Sequence, residues 1–504
     1  MVIAMKESEK VEQIKKRPML YMSISSVAIY LSINLFAHFQ YADMESFFMD
    51  DVGLFNTFQW KKGFWDFISL GKDNKFRPFS DTFLYLGYKL IGLRAENAYL
   101  YVLFIGALVC ALLTLLIVKC FGKIWYGILF SCLFSITRFA YYSISQYFGV
   151  MESITTLCAV CTLLAGIRFM ESDDNNACRR FVVVNIAAIL CIFSHERYLT
   201  LYGYLLLLVF FKFFFSKKSV PYYGVIILSI IAMLVFRKVY LGPLSFQGTG
   251  GTNLLDTFSI TSMLGFVVQG IVQIFGWNMG PGFLVGITMD QAAPIINLLP
   301  IGIIAIFVGM LLALLYQSKA THHYGILWTW LSIVSFIGAT ITSGCITIRL
   351  ELRWLYIPYL GFLVLLFWMA SNIQFSGKYR WCCAESILTV LLVLIFPIDS
   401  YYRTGWKYNY LGEEFLTNNA VYECAIRKYG AELYDRPIVI IEDNDEVKQD
   451  FDVMASLYYM DKSVTSQSFP SLDEVPQELL QQNPVILYAI DLNNICDVTG
   501  LIVQ

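Results

Sequence analysis

Long apolar runs divided by short polar turns dominate this chain, and a run of about 20 residues is long enough to cross a bilayer as a helix. Such runs lie near 19–39, 98–118, 124–142, 150–168, 181–195, 199–215, 220–238, 296–316, 325–345, 354–371 and 382–398. Two regions break the hairpin rhythm. Residues 40–97 carry two amphipathic patterns: Trp60, Phe64, Phe67 and Ile68 share one helical face, and after Pro78 the side chains Phe79, Phe83, Leu86 and Leu90 share another. Both predict helices lying in the membrane interface. Past about residue 400 the apolar content falls, and 436–441 and 484–490 have the look of buried strands among polar helical stretches. The fold class that follows is a polytopic all-α membrane protein of about 11 spans with a small C-terminal α/β domain. No repeat period is visible.

Composition agrees with this reading. Hydrophobic residues make up 57% of the chain and charged ones 15%, where a soluble domain carries about 25% charge. Mean hydropathy is +0.60. A net charge of −2 without a basic tract points to no nucleic-acid partner. Of the 12 cysteines, Cys110, Cys132, Cys158, Cys161 and Cys191 fall inside apolar runs, where they act as small hydrophobes. Cys158 and Cys161 have no second ligand pair to make a metal site. Cys424 and Cys496 admit a disulfide in an oxidising exterior.

Positive charge orients the spans. Lys6, Lys10, Lys15, Lys16 and Arg17 put residues 1–18 in the cytoplasm. Lys119 with Lys123, Arg168 with Arg179 and Arg180, Lys212 with Lys217 and Lys218, and Lys378 with Arg380 recur at every second boundary. This alternation divides the chain into a transmembrane module at 19–398, with outer loops at 40–97 and 241–295, and an extracytoplasmic domain at 399–504. It also makes the apolar stretch 259–277 a re-entrant or surface helix rather than a span.

The chemistry gathers at the outer boundaries. Arg349, Glu351 and Arg353 open a segment that then stays uncharged from Trp354 to Ser371. A charge at the bilayer centre costs about 2.5–3.5 kcal/mol, so such a cluster belongs at an interface or a polar cavity. The run from Arg353 to Pro358, with Gly361-Phe362 after it, resembles the E-R-Y-L-Y-L-P-S-x-G-F segment of the transmembrane and tetratricopeptide-repeat O-mannosyltransferases, which belong to the GT-C superfamily of membrane glycosyltransferases. Other short stretches follow in the same order. Asp50-Asp51 resembles that family's acidic pair, Phe76-Arg77-Pro78-Phe79 its Y-R-P-L, and 150–154 around Glu152 its H-x-E-A-V, without the His. Ser194-His195-Glu196-Arg197 resembles S-K-E with His195 in place of Lys, and Arg237 with Gly242, Pro243 and Phe246 resembles its R…G…P-x-F. The tetratricopeptide tail is absent.

The resemblance implies transfer of a sugar, with inversion, from a polyprenyl-phosphate donor to an extracytoplasmic glycan, lipid-linked saccharide or protein, at the outer face of a plasma membrane. A carboxylate base, Asp50 or Asp51, would deprotonate the acceptor hydroxyl; spacing does not choose between them, and the resemblance favours Asp50. Arg77, Glu152, His195, Glu196, Arg197, Arg237 and Arg353 would bind the donor, and a divalent metal beside the leaving phosphate stays open. Blander readings exist for each. Loops collect acids, Glu152 suits a helix N-terminus, a hairpin turn needs polar residues, and Arg237 has the stem to snorkel. A polysaccharide polymerase or ligase, or a transporter, are the alternatives; a transporter would lack interfacial helices in 56–93.

Overall fold

The computed structural model describes residues 18–35, 50–60, 63–68, 76–92, 95–241, 258–322, 324–373, 380–408, 427–441, 466–489 and 495–497, with residues 421 and 425 between them. Helices dominate because a chain surrounded by hydrocarbon must satisfy its backbone amides and carbonyls within itself. Nine helices among the described residues are long and apolar enough to cross a membrane, Pro18–Leu35, Asn97–Phe121, Gly149–Met170, Asp174–Ser194, Lys217–Val239, Pro294–Thr321, Gly325–Cys345, Leu352–Asn372 and Glu385–Trp406. A tenth arises if the pair Ile124–Ile136 and Arg138–Ser145, bent by 54°, is one broken span. The expected run near 199–215 is the shorter helix Leu201–Phe213, entered through the 3-10 turn Glu196–Thr200. The stretch at 259–277 forms Ile260–Phe275, 16 residues and too short for a full crossing.

The candidate span at 124–142 is broken within its length. Thr137 adopts an extended ψ of 135°, so the helix stops and restarts. A break frees backbone carbonyls, which must find partners. Arg403 donates to the Ser135 carbonyl at 2.8 Å and Trp406 Nε1 to the Arg138 carbonyl at 3.3 Å. Arg138 itself, 1% exposed, ion-pairs with the fully buried Asp399. It also donates to Asn278 Oδ1 at 2.9 Å and to the Gln273 carbonyl in the last turn of Ile260–Phe275, where a cation meets the negative end of the helix. Tyr359 donates to the other Asp399 oxygen at 3.1 Å. Arg403 reaches Asn34 of the first helix at 2.9 Å. One polar knot thus joins five parts of the chain.

Residues 60–68 do not form the single amphipathic helix that their pattern predicts. They split at Gly63 into Asp50–Trp60, which buries Val52, Leu54, Phe55 and Phe58, and Phe64–Ile68, which buries Phe67 and Ile68; the Trp60 side chain lies outside the described residues, as do Gly242, Pro243, Phe246 and Cys424. On Pro78–Ile91 the packed positions are Ser80, Leu84 and Gly87, while Leu86 and Leu90 are exposed. A Cβ at Gly87 would collide with Tyr147 and Tyr101, so only glycine lets this helix lie so close.

The C-terminal residues build a four-stranded sheet from β1 (Ile438–Ile441), β2 (Ser466–Phe469), β3 (Val485–Ala489) and β4 (Ile495–Asp497) in the order β2-β1-β3-β4. β1 runs parallel to both neighbours, and β3 and β4 are antiparallel. Every β1 residue is buried, as an apolar strand between parallel partners requires.

Candidate functional site

Asp50 and Asp51 occupy the first turn of Asp50–Trp60, where the helix dipole favours negative charge. One residue of helical rotation, about 100°, gives them opposite surroundings. Asp51 is 1% exposed, and its two carboxylate oxygens accept the amide hydrogens of Tyr147 and Phe148, each at 2.7 Å. Burial pushes its carboxyl up to about 7, against those two amides, which favour the ionised form. The Asp50 side chain is 53% exposed. Its Oδ2 accepts a hydrogen bond from Tyr142 Oη at 2.5 Å and lies 3.7 Å from Arg353 Nη1.

Arg353 is itself held. Its Nε donates to Glu351 Oε2 at 2.6 Å, and its guanidinium lies 3.9 Å from the Tyr142 ring centroid. Glu351 is buried and accepts from Arg349 on its other oxygen at 2.9 Å. These charges, expected at an interface or a polar cavity, form a clamp whose centre is enclosed and whose arm reaches Asp50.

Arg197 continues the cluster. Its guanidinium stacks 4.1 Å from the Trp354 ring and feels the charges of Glu152, Arg353 and Glu351. Its Nη1 is buried with no hydrogen-bond partner among the described residues. Glu152, in the first turn of Gly149–Met170, makes no capping bond and instead faces His195 Nε2 at 3.8 Å, an electrostatic rather than hydrogen-bonded contact. His195 Nδ1 accepts the Arg197 amide hydrogen at 3.3 Å. Glu152 stands in the first helical turn, where the dipole favours its charge, and faces His195 as well.

Glu196 gathers the remaining cations. It accepts from Arg237 Nη1 at 3.0 Å and from the Phe76 amide at 3.3 Å, with Arg77 Nη2 at 3.6 Å. Arg77 also donates to Met151 Sδ at 3.0 Å, one residue from Glu152. Beside Glu196 and Arg237 opens a pocket whose walls are otherwise apolar: Phe76, Ile192, Phe193, Leu199 and Met233. Arg237 is buried against Glu196, so its aliphatic stem is not simply snorkelling toward water.

All nine side chains that the motifs single out thus lie along one chain of charge, from Asp50 through Arg353, Arg197, Glu152 and His195 to Glu196, Arg77 and Arg237, with Asp51 behind it. Tyr142 and Asp81 were missed. Tyr142 carried a faint signal, since 141–147 is a polar loop between two apolar runs; Asp81, an electrostatic neighbour of Arg77 and Glu196, carried none.

A divalent metal between the two acids does not fit this geometry. Both Asp51 oxygens are engaged by backbone amides, which leaves Asp50 alone to offer a ligand. Among the described residues no group of three or more His, Cys, Asp or Glu is placed to hold a metal ion.

The chain matches no known family model and no curated protein. A solved structure, the crystal structure of ArnT from Cupriavidus metallidurans in the apo state, is similar over 92% of this chain and 92% of that one, at 12% sequence identity and a TM-score of 0.44. A likeness that low assigns no residue.

Proposed function

We propose that this chain is a GT-C-type membrane glycosyltransferase that moves a sugar from a polyprenyl-phosphate donor to an extracytoplasmic hydroxyl. The observation that carries the reading is Asp50: a half-exposed carboxylate, oriented by Tyr142 and Arg353, at the head of a run of buried and partly buried cations. In this reading Asp50 takes the proton of the acceptor hydroxyl as its oxygen attacks the anomeric carbon. The bond from that carbon to the phosphate oxygen breaks, and the sugar inverts. The phosphate leaves with the charge that Arg197, Arg353 and the Arg77–Arg237 pair neutralise. The apolar pocket at Phe76, Phe193, Leu199 and Met233 suits the first isoprene units, with Arg237 at the depth of the phosphate. Glu196 holds the two guanidiniums in place between turnovers.

The helices Phe64–Ile68 and Pro78–Ile91 in the first loop favour this reading over a transporter. The test is purified protein in liposomes with labelled polyprenyl-phosphate monosaccharides. The reading expects one of them to be consumed with release of polyprenyl phosphate. Consumption of diphosphate-linked oligosaccharides instead would favour a polymerase, and protein-dependent solute flux without release would favour a transporter.

A further inference from the structure

The short helix Tyr141–Ser145 is anchored on both sides by buried contacts, and it carries the Tyr142 that meets Asp50. Upstream, Arg138 is fixed by Asp399, Asn278 and the Gln273 carbonyl. Downstream, the Tyr147 and Phe148 amides are held by Asp51. Between these pins the segment folds back onto the start of Gly149–Met170, and a Cβ at Gly149 would collide with the Tyr142 carbonyl. Such constraint on both sides of a five-residue helix fixes where its side chains point.

Tyr142 is the side chain this anchoring aims at Asp50. It is 1% exposed, its Oη donates to Asp50 Oδ2, and its ring supports the Arg353 guanidinium. Asp50 Oδ1 has no hydrogen-bond partner among the described residues, on a side chain that is 53% exposed. We propose that Tyr142 is a positioning residue for Asp50: it occupies Oδ2 together with Arg353 and leaves Oδ1 as the oxygen that receives the acceptor proton. This deepens the reading of Asp50 as base and rests on it for its function, though not for its geometry.

Among the described residues, the charged and titratable groups around Asp50 are Asp51 on its own helix, Tyr142 on the short helix and Arg353 on the 3-10 turn Leu352–Leu355. A hydrogen bond to one carboxylate oxygen polarises the group, so losing the Tyr142 hydroxyl changes the carboxylate stretching frequencies of Asp50. These bands are read at one fixed pH by infrared difference spectroscopy in nanodiscs, with the matching Asp50→Asn protein as the blank for each variant. Tyr142→Phe keeps the ring and the Arg353 stack and shifts the Asp50 bands from their wild-type position. Tyr126→Phe, beside Lys123, leaves them in place. Replacing Tyr142 with 3-fluorotyrosine, a stronger donor, shifts them in the opposite direction. Tyr142→Phe bands equal to wild type, or fluorotyrosine bands that do not move, overturn the assignment. No sugar donor enters this measurement. A wild-type protein that transfers no sugar yet shows both shifts would refute the transferase reading and leave the positioning role standing.

Discussion

Two neighbouring carboxylates on one helical turn meet opposite surroundings, and on the proposed reading that contrast favours Asp50 as the one that meets substrate. Asp51 is consumed by structure: it ties the Asp50–Trp60 helix to the amides that precede Gly149–Met170. Asp51→Ala strands one buried and one part-buried N–H group, each worth up to about 1–3 kcal/mol, so thermal melting in detergent should fall below wild type while Asp50→Asn melts close to it. Asp51 also carries a pH signature. Its folded carboxyl titrates near about 7, above the unfolded value of 3.8, so the stability it contributes is complete below 3.8 and is lost as pH rises through about 7. The drop in melting temperature between pH 4.5 and 7.5 should therefore shrink in Asp51→Asn; an unchanged drop would place the titration elsewhere. The adjacent acids and the Arg and Glu positions stand out in the sequence because charge is scarce in so apolar a chain. Which acid faces solvent is not legible there, because it depends on where the distant Tyr147 and Phe148 amides come to rest.

At the scale of elements, the break at Thr137 is stabilised by a buried polar knot. Arg138 and Asp399 are both buried, and each is satisfied by the other and by neutral partners. Removing one member of such a pair leaves an uncompensated charge and costs about 3–5 kcal/mol, whereas replacing both by apolar groups is far milder. Asp399→Ala should melt much lower than wild type, and Arg138→Met with Asp399→Leu should recover most of that loss; a single variant as stable as wild type would show that the pair bears no strain. The long helices were legible because runs of about 20 apolar residues have few other fates. The bend was not, because apolar pattern runs straight through it. Its only trace is one arginine inside the 124–142 run, a charge that needs a buried partner, and that partner lies 261 positions away. The split at Gly63 was hidden for a similar reason: aromatic spacing near 60–68 fits a helical face whether or not the backbone is continuous.

For the whole molecule, the helical body and the four-stranded C-terminal sheet stand as the sequence implied, since β1 and β3 are uninterrupted apolar runs; β2, Ser466–Phe469, lacks that mark and was invisible. The Lys/Arg alternation predicts that this sheet lies outside the cytoplasm. A reporter active only in the cytoplasm, fused after Gln504, should stay silent, and an active fusion would reverse the orientation. The central claim is that Asp50 is the base of a sugar transfer. It is tested most directly by Asp50→Asn in liposomes supplied with the polyprenyl-phosphate sugar that the wild type consumes. Turnover should fall by about 10²–10⁴-fold while donor binding and melting temperature hold. Transfer at near-normal rate by Asp50→Asn would contradict the account.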